Sequence, residues 1–466
     1  MIRRSQDGGR GQGTFESFVH SEATGSLLLI AATVLALAWA NSPWAESYAR
    51  ILSTRIGASL GDAAFTLSLK EWINDGLMAV FFFVVGLEIK REVVVGELSS
   101  VRKAALPVMA AAGGMIVPAA LYVVLNRSGA GSHGWGVPMA TDIAFALGIL
   151  AVFGARAPLG LKVFLTALAI ADDLGAVAVI AFYYSEGVRW TALAGAALLL
   201  GLLVLAGRAG IRRPGVYLLL AGGVWLAVHA SGVHATIAGI LVALLVPVRA
   251  PAEPRTAVEA MRSKLAGLDE LRVSRESMII ERSQLEVIEE LHRASGRLRP
   301  PGLTLERFLH PLVVFVILPL FALFNAGVSM SGTFGTNLAS PVALGVIIGL
   351  VVGKQLGVMG ASWLAVRAGW SRLPDGVTWR QLYGVSCLAG IGFTMSLFIT
   401  DLAFADPALV ADAKVGILVA SVLAGLTGSL VLRRALGSRT TARASGTGGN
   451  ETPVGAAEGS TKRSRS

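Results

Sequence analysis

Residues 163–184 read VFLTALAIADDLGAVAVIAFYY, from Val163 to Tyr184, and everything else in the chain is read outward from the two acids at their centre. A helix of about 20 apolar residues crosses a ~30 Å hydrocarbon core, so this stretch has the length and composition of a membrane span. At 1.5 Å per residue, Asp172 and Asp173 lie about 14 Å from its nearer, inner end. An ionisable side chain at that depth costs about 2.5–3.5 kcal/mol on insertion scales, which makes it a functional candidate by default. Consecutive helical residues point about 100° apart, so one carboxylate can face an ion cavity while the other faces a neighbouring helix. Two acids this close resist ionising together, which suits a site that holds either protons or a cation. Two acids serving only to tie helices together are the less economical reading, because one would do that at lower cost.

The rest of the chain agrees with lipid as the solvent. Its 466 residues are 54% hydrophobic and only 15% charged, against about 25% charged in soluble domains, and the mean hydropathy is +0.66. Twelve apolar stretches can be marked, near 24–41, 72–90, 104–125, 136–154, 163–184, 191–207, 215–229, 233–248, 308–329, 341–363, 381–400 and 412–432. The net charge of +10 comes from basic residues at the edges of these runs, which reads as membrane topology and argues against a nucleic-acid surface. Arg50, Arg55, Lys70, Arg127, Arg189 and Lys414 fall in one set of loops; apart from the mid-span Lys354, the other lysines and arginines fall in the opposite set and in the termini. The positive-inside rule therefore places both termini in the cytoplasm. The N-terminal 23 residues are expected to be a polar cytoplasmic segment without a cleavable signal. Residues 249–307 are expected to form a charged cytoplasmic connection, with an amphipathic helix from Ser274 to Ala294 carrying Met278, Leu285, Ile288 and Leu291 on one face. The stretch 433–466, rich in Ser, Thr, Gly and Arg after Gly437, reads as a disordered cytoplasmic tail. The single cysteine, Cys387, excludes an intrachain disulfide and reads as a small packing group.

Two further ionisable residues lie inside spans. Lys354 is mid-span in 341–363 and needs a counter-charge, for which Asp172 or Asp173 is the obvious partner. Gly345, Gly349, Gly353 and Gly357 recur every fourth residue around it, a stripe that lets helix backbones approach closely. Asp142 follows Pro138 and Thr141 in a broken apolar run, and Gly390 to Thr394 makes a similar interruption in the eleventh stretch. Paired interruptions in two halves of a chain are the best sequence pointer to a transporter site. There Asp142 can offset the positive ends of half-helices and Lys354 the negative ends. Carboxylates, the Thr141 hydroxyl and freed carbonyls suit a hard cation. No Cys/His cluster suggests a transition metal, and no phosphate loop suggests nucleotide coupling or a cofactor.

At these residues the sequence resembles the NhaA family of bacterial sodium/proton antiporters. The motifs are Asn74-Asp75-Gly76-Leu77-Met78, Gly86-Leu87-Glu88-Ile89-Lys90-Arg91-Glu92, Ala140-Thr141-Asp142-Ile143-Ala144-Phe145, Asp172-Asp173-Leu174-Gly175-Ala176, His234-Ala235-Thr236-Ile237-Ala238-Gly239, Gly353-Lys354 and Gly392-Phe393-Thr394-Met395-Ser396. The resemblance implies an all-α membrane protein of about twelve helices with inverted-topology repeats, spans four and eleven being unwound where they cross. It implies that Asp173 is the principal Na+ and H+ ligand, with Asp172 pairing with Lys354, Asp142 balancing charge and Thr141 nearby. It implies an electrogenic Na+(Li+)/H+ exchange by alternating access in the inner membrane, activated at alkaline pH, by a homodimer. A pH-response cluster would comprise Glu88, Arg91, Glu92, His234, Glu306 and His310, and Asp75 would be a secondary acid. Arg307 departs from the family's histidine at that position, and the 249–307 connection is longer than usual.

Other readings share part of this pattern. A proton-coupled carrier of another cation or solute would have the same architecture and a different pocket. An intramembrane aspartyl protease also uses two acids, but on separate helices; here they are adjacent, and the one Gly-Asp pair, Gly61-Asp62, lies in an outer loop. A cation channel would be opposed by Lys354 unless that lysine is paired.

Overall fold

The computed structural model describes residues 8–60, 63–185, 187–209, 211, 214–248, 259, 262–263, 300–329 and 334–444. The Ser274–Ala294 amphipathic helix, most of the 249–307 connection and the tail beyond Ala444 lie outside the described residues. Each of the twelve apolar stretches coincides with helix. Seven described helices are long and apolar enough to span a membrane, or nine if each of two bent pairs is one span. The shortfall from twelve has local causes. Gly215–Ser231 and Ile237–Leu245 are short, and Met78–Val94 ends in the charged run Glu88, Lys90, Arg91 and Glu92. At the chain ends, the first helix already begins at Gly8 and the last runs from Pro407 to Ala444, into the stretch read as tail.

The membrane helices are joined at one point by a strand pair that the sequence reading did not include. Arg55–Leu60 and Ala63–Ser68 pair as an antiparallel hairpin, with Arg55 opposite Ser68 and Gly57 opposite Thr66. Its alternating small, β-branched and aromatic residues suit a strand pair that is open to water on one side. It is held down by Trp72, whose Nε1 donates to the Ile56 carbonyl at 2.8 Å. Phe65 sits edge-on to Trp72 and Trp225, at ring separations of 6.0 and 6.2 Å. Ser68 then caps the next helix reciprocally with Glu71, a pairing that satisfies two otherwise orphaned amides.

Between helices, glycine sets the spacing. The stripe on Pro341–Arg367 faces Val101–Leu125: a Cβ on Gly357 would collide with the Gly113 carbonyl, and one on Gly353 would stand 2.7 Å from the Pro118 Cα. A second close contact joins Met78–Val94 to Ile237–Leu245. A Cβ on Gly239 would strike the Ala79 carbonyl, and one on Gly86 would reach 2.7 Å from the Ala243 Cβ. Lys90 closes that pair by donating to the carbonyls of Leu244, at 2.7 Å, and Val246, at 2.5 Å. A cation on the last carbonyls of a helix satisfies orphaned acceptors and complements the dipole, which explains why so short a helix ends cleanly.

Among the described residues, three helices carry a single wide π turn, at Trp72–Leu77, Val313–Ile317 and Gly349–Gly353. Such turns insert one extra residue and recur at functional sites. The third delivers Lys354 directly to the centre of the bundle.

The Gly113–Gly357 contact leaves no room for a side chain, whereas Gly360 on the same helix faces open space. Gly357→Leu is expected to cost ~1–3 kcal/mol or more through overpacking, seen as a clear drop in detergent melting temperature. Gly360→Ala should leave the melting curve in place. Equal melting of the two variants would contradict the close approach.

Candidate ion-binding site

Asp172 and Asp173 occupy the middle of Leu159–Tyr183, and both are 1% exposed. Lys354, equally buried, places its Nζ 2.6 Å from Asp172 Oδ2. The lysine reaches the acid past Gly114, where an added Cβ would stand 3.7 Å from the ammonium. So the glycine stripe does not pack on the acid-bearing helix itself. It draws the lysine's helix against Val101–Leu125, and the side chain crosses over the Gly113–Gly114 step to Asp172. Only one carboxylate receives the lysine: Asp172 Oδ1 and Asp173 Oδ1 are buried and accept no hydrogen bond among the described residues. Thr141 stands beside Asp172. Glu88, Asp142 and Lys354 lie close enough to act on Asp173 through their charge.

The interruption at residues 140–142 and the one at 389–392 meet. Ala140–Asp142 is extended between a tight 3₁₀ helix, Ala130–Met139, and the helix Ile143–Val152. Opposite it, Trp379–Leu388 and Phe393–Ala403 are separated at Gly390–Gly392 and bent by 44°. The two breaks are laced together by hydrogen bonds onto backbone carbonyls. Asp142 N–H donates to the Ile391 carbonyl at 2.7 Å and the Thr141 hydroxyl to the Ala389 carbonyl at 2.9 Å. A third bond runs from the Ser396 hydroxyl to the Val137 carbonyl at 2.8 Å. Broken helices at membrane depth are tolerated where protein re-satisfies the freed groups, and these bonds do that.

Asp142 serves both halves. Its Oδ1 accepts from Phe145 N–H at 3.0 Å, capping Ile143–Val152. Its Oδ2 accepts from Thr394 N–H at 3.0 Å and from the Thr394 hydroxyl at 2.5 Å, at the start of Phe393–Ala403. One buried carboxylate thus sits on two helix N-termini, each worth roughly half a positive charge. The two interruptions, paired in the sequence, form one assembly, and its Thr141 stands beside Asp172.

The remaining candidates divide into two groups. Near the end of Met78–Val94, Arg91 contacts Glu306 at 2.5 Å, Glu92 at 3.3 Å and Glu88 at 3.7 Å. His310 and Arg307 lie near enough to act on Glu306. His234 is not part of this group. Its Nε2 lies 3.8 Å from Asp75 Oδ1 and its Nδ1 3.0 Å from the Thr236 hydroxyl, while its ring meets Phe398 edge-on. Asp75 also faces His229, at 3.9 Å. A polar cluster around Asp401, described below, was not singled out in the sequence, because Asp401, Lys70 and Lys414 each fall near a span end, where charges are ordinary.

Comparison with known proteins bears on the whole chain. Residues 16–432 match the family model described as Na+/H+ antiporter 1. The Na(+)/H(+) antiporter NhaA of Oleidesulfovibrio alaskensis is 47% identical over 425 residues, covering 91% of this chain and 94% of that protein. The Na(+)/H(+) antiporter NhaA of Acidithiobacillus ferrooxidans is 48% identical over 420 residues, with 90% and 96% covered. The Na(+)/H(+) antiporter NhaA 2 of Myxococcus xanthus is 46% identical over 438 residues, with 93% and 91% covered. The resemblance carried by the motifs therefore extends along nearly the full length, and the chain belongs to the Na+/H+ antiporter 1 family.

Proposed function

We propose that this protein exchanges Na+ for H+ across the bacterial inner membrane, at Asp172 and Asp173. The observation that carries this reading is the buried acid pair of which only one member is bonded to Lys354. Asp173 is the principal ligand for Na+, Li+ or a proton, with Thr141 and Asp172 beside it. Asp172 alternates between Lys354 and a proton. Asp142 holds the two helix ends and balances charge at the crossing. Two carboxylates can release two protons while taking up one monovalent cation, so a cycle carries net positive charge inward. That makes the exchange electrogenic and lets the proton gradient drive sodium out, supporting sodium and pH homeostasis.

Access alternates by rocking of the crossing helices and their neighbours against the remaining bundle. The architecture proposed is twelve spans with inverted repeats, residues 24–248 forming spans one to eight and 308–432 spans nine to twelve. The 1–23 segment, the 249–307 connection and the tail are cytoplasmic, and the working unit is a homodimer. The Arg91–Glu306 network joins two helices at their cytoplasmic ends, where internal pH is sensed. His234, paired with Asp75, lies toward the outer face.

The site assignment is tested by sodium-dependent proton flux in vesicles. Asp173→Asn should abolish it, and full exchange by the variant would refute the assignment. Lys354→Ala should lower both activity and thermal stability. Removing one partner of a buried ion pair costs about 3–5 kcal/mol, and unchanged melting would count against the Asp172–Lys354 bond.

A further inference from the structure

Asp401 ends the Phe393–Ala403 helix and is nearly buried between two lysines. Lys414 Nζ, on Pro407–Ala444, lies 3.6 Å from its Oδ1. Lys70 Nζ, in the turn of helix Leu69–Glu71, lies 3.0 Å from its Oδ2. Asn74, in the π turn that follows, donates to the same Oδ2 at 3.1 Å. Asn74 is itself held by Asn325, which is fully buried and exchanges amide hydrogen bonds with it at 2.8 and 3.2 Å. The cluster lies at the opposite end of the Trp72–Val94 helix from Arg91 and Glu306, the face read as outer.

The partners of Asp401 come from both sides of the rocking proposed above, the crossing helices with their neighbours and the remaining bundle. Phe393–Ala403 starts at the crossing and is tied to Asp142, and Lys414 lies on the next helix along the chain. Lys70, Asn74 and Asn325 lie outside the two broken helices, on elements that pack on Phe393–Ala403 through Phe82 and Phe321, and among the described residues none of the three bonds to the crossing segments. Lys414 can therefore stay with Asp401 while Lys70 and Asn74 must part from it if the two bodies separate. Lys70 is 37% exposed in its side chain and Asp401 only 10%, so water can take over the lysine on opening. Without the carboxylate, two ammonium groups would face each other across the same gap.

We propose that Asp401 is a positioning residue for the exchange, a clasp between the two bodies that keeps the outer face closed until the loaded site swings outward. The inference rests on the antiport reading and adds to it a residue distant from the ion.

The test compares the sodium concentration for half-maximal exchange in right-side-out and inside-out vesicles. Asp401→Asn should unlatch the outer face and leave Lys70 and Lys414 in mutual repulsion. Its half-saturating sodium should fall several-fold from the outside and rise several-fold from the inside. Adding Lys70→Gln to Asp401→Asn removes the repulsion and should return both values toward wild type, which a packing defect would not do. Equal shifts on the two sides, or a double variant no closer to wild type than the single, would overturn the clasp. If Asp401→Asn does not accumulate, Lys70→Gln alone should give a smaller shift of the same sign, and no shift from it would be equally fatal. Wild-type vesicles without sodium-dependent proton flux would overturn the antiport reading, and the clasp with it.

Discussion

A lysine and an aspartate meet at 2.6 Å in the middle of the bundle, each almost wholly removed from solvent, and the architecture around them is arranged to make that meeting possible. Taking either charge out of water alone costs several kcal/mol, and their mutual attraction repays this only where the geometry is close. The closeness is produced by backbone. Glycines at 353 and 357 let one helix lie against Pro118 and Gly113 of another, Gly114 leaves passage for the lysine stem, and a π turn sets the lysine's direction. The lysine bonds Asp172 and reaches Asp173 only through its charge. The Asp173 Oδ1 beside it is buried and accepts no hydrogen bond among the described residues.

The crossing solves a separate problem. Breaking two helices inside a membrane frees amides and carbonyls that lipid cannot satisfy. Here the breaks answer one another: an extended three-residue segment donates to the carbonyls of a Gly-rich one, and a single aspartate receives amides from both following helices. The freed polarity is contained within the protein, beside the acid pair where it is useful.

Much of this was legible in the sequence because membrane burial makes exceptions conspicuous. Asp142, Asp172, Asp173 and Lys354 stand out against apolar runs, and the lysine's pairing with one of the two acids follows from the cost of leaving it alone. Helix geometry does not say which acid it takes, since adjacent residues differ only in direction; the family resemblance names Asp172, the acid that the lysine reaches. The glycine stripe announced close packing but not its partner, Val101–Leu125. The hairpin leaves only a faint mark, Gly61-Asp62 between two short alternating runs, a turn signal, because strands of six residues carry far less pattern than the spans beside them. The Asp401 cluster was invisible for a different reason. Its members come from three distant stretches and each sits at a span end, so only their convergence distinguishes them. His234 likewise joins Asp75, a pairing that their distance along the chain conceals.

The shared capping by Asp142 limits what can move. If one broken helix slid past the other, the carboxylate would have to abandon Phe145 or Thr394 and leave an uncovered helix end in a dry interior. Displacement must therefore carry both halves together, as a fixed keystone travels with its arch.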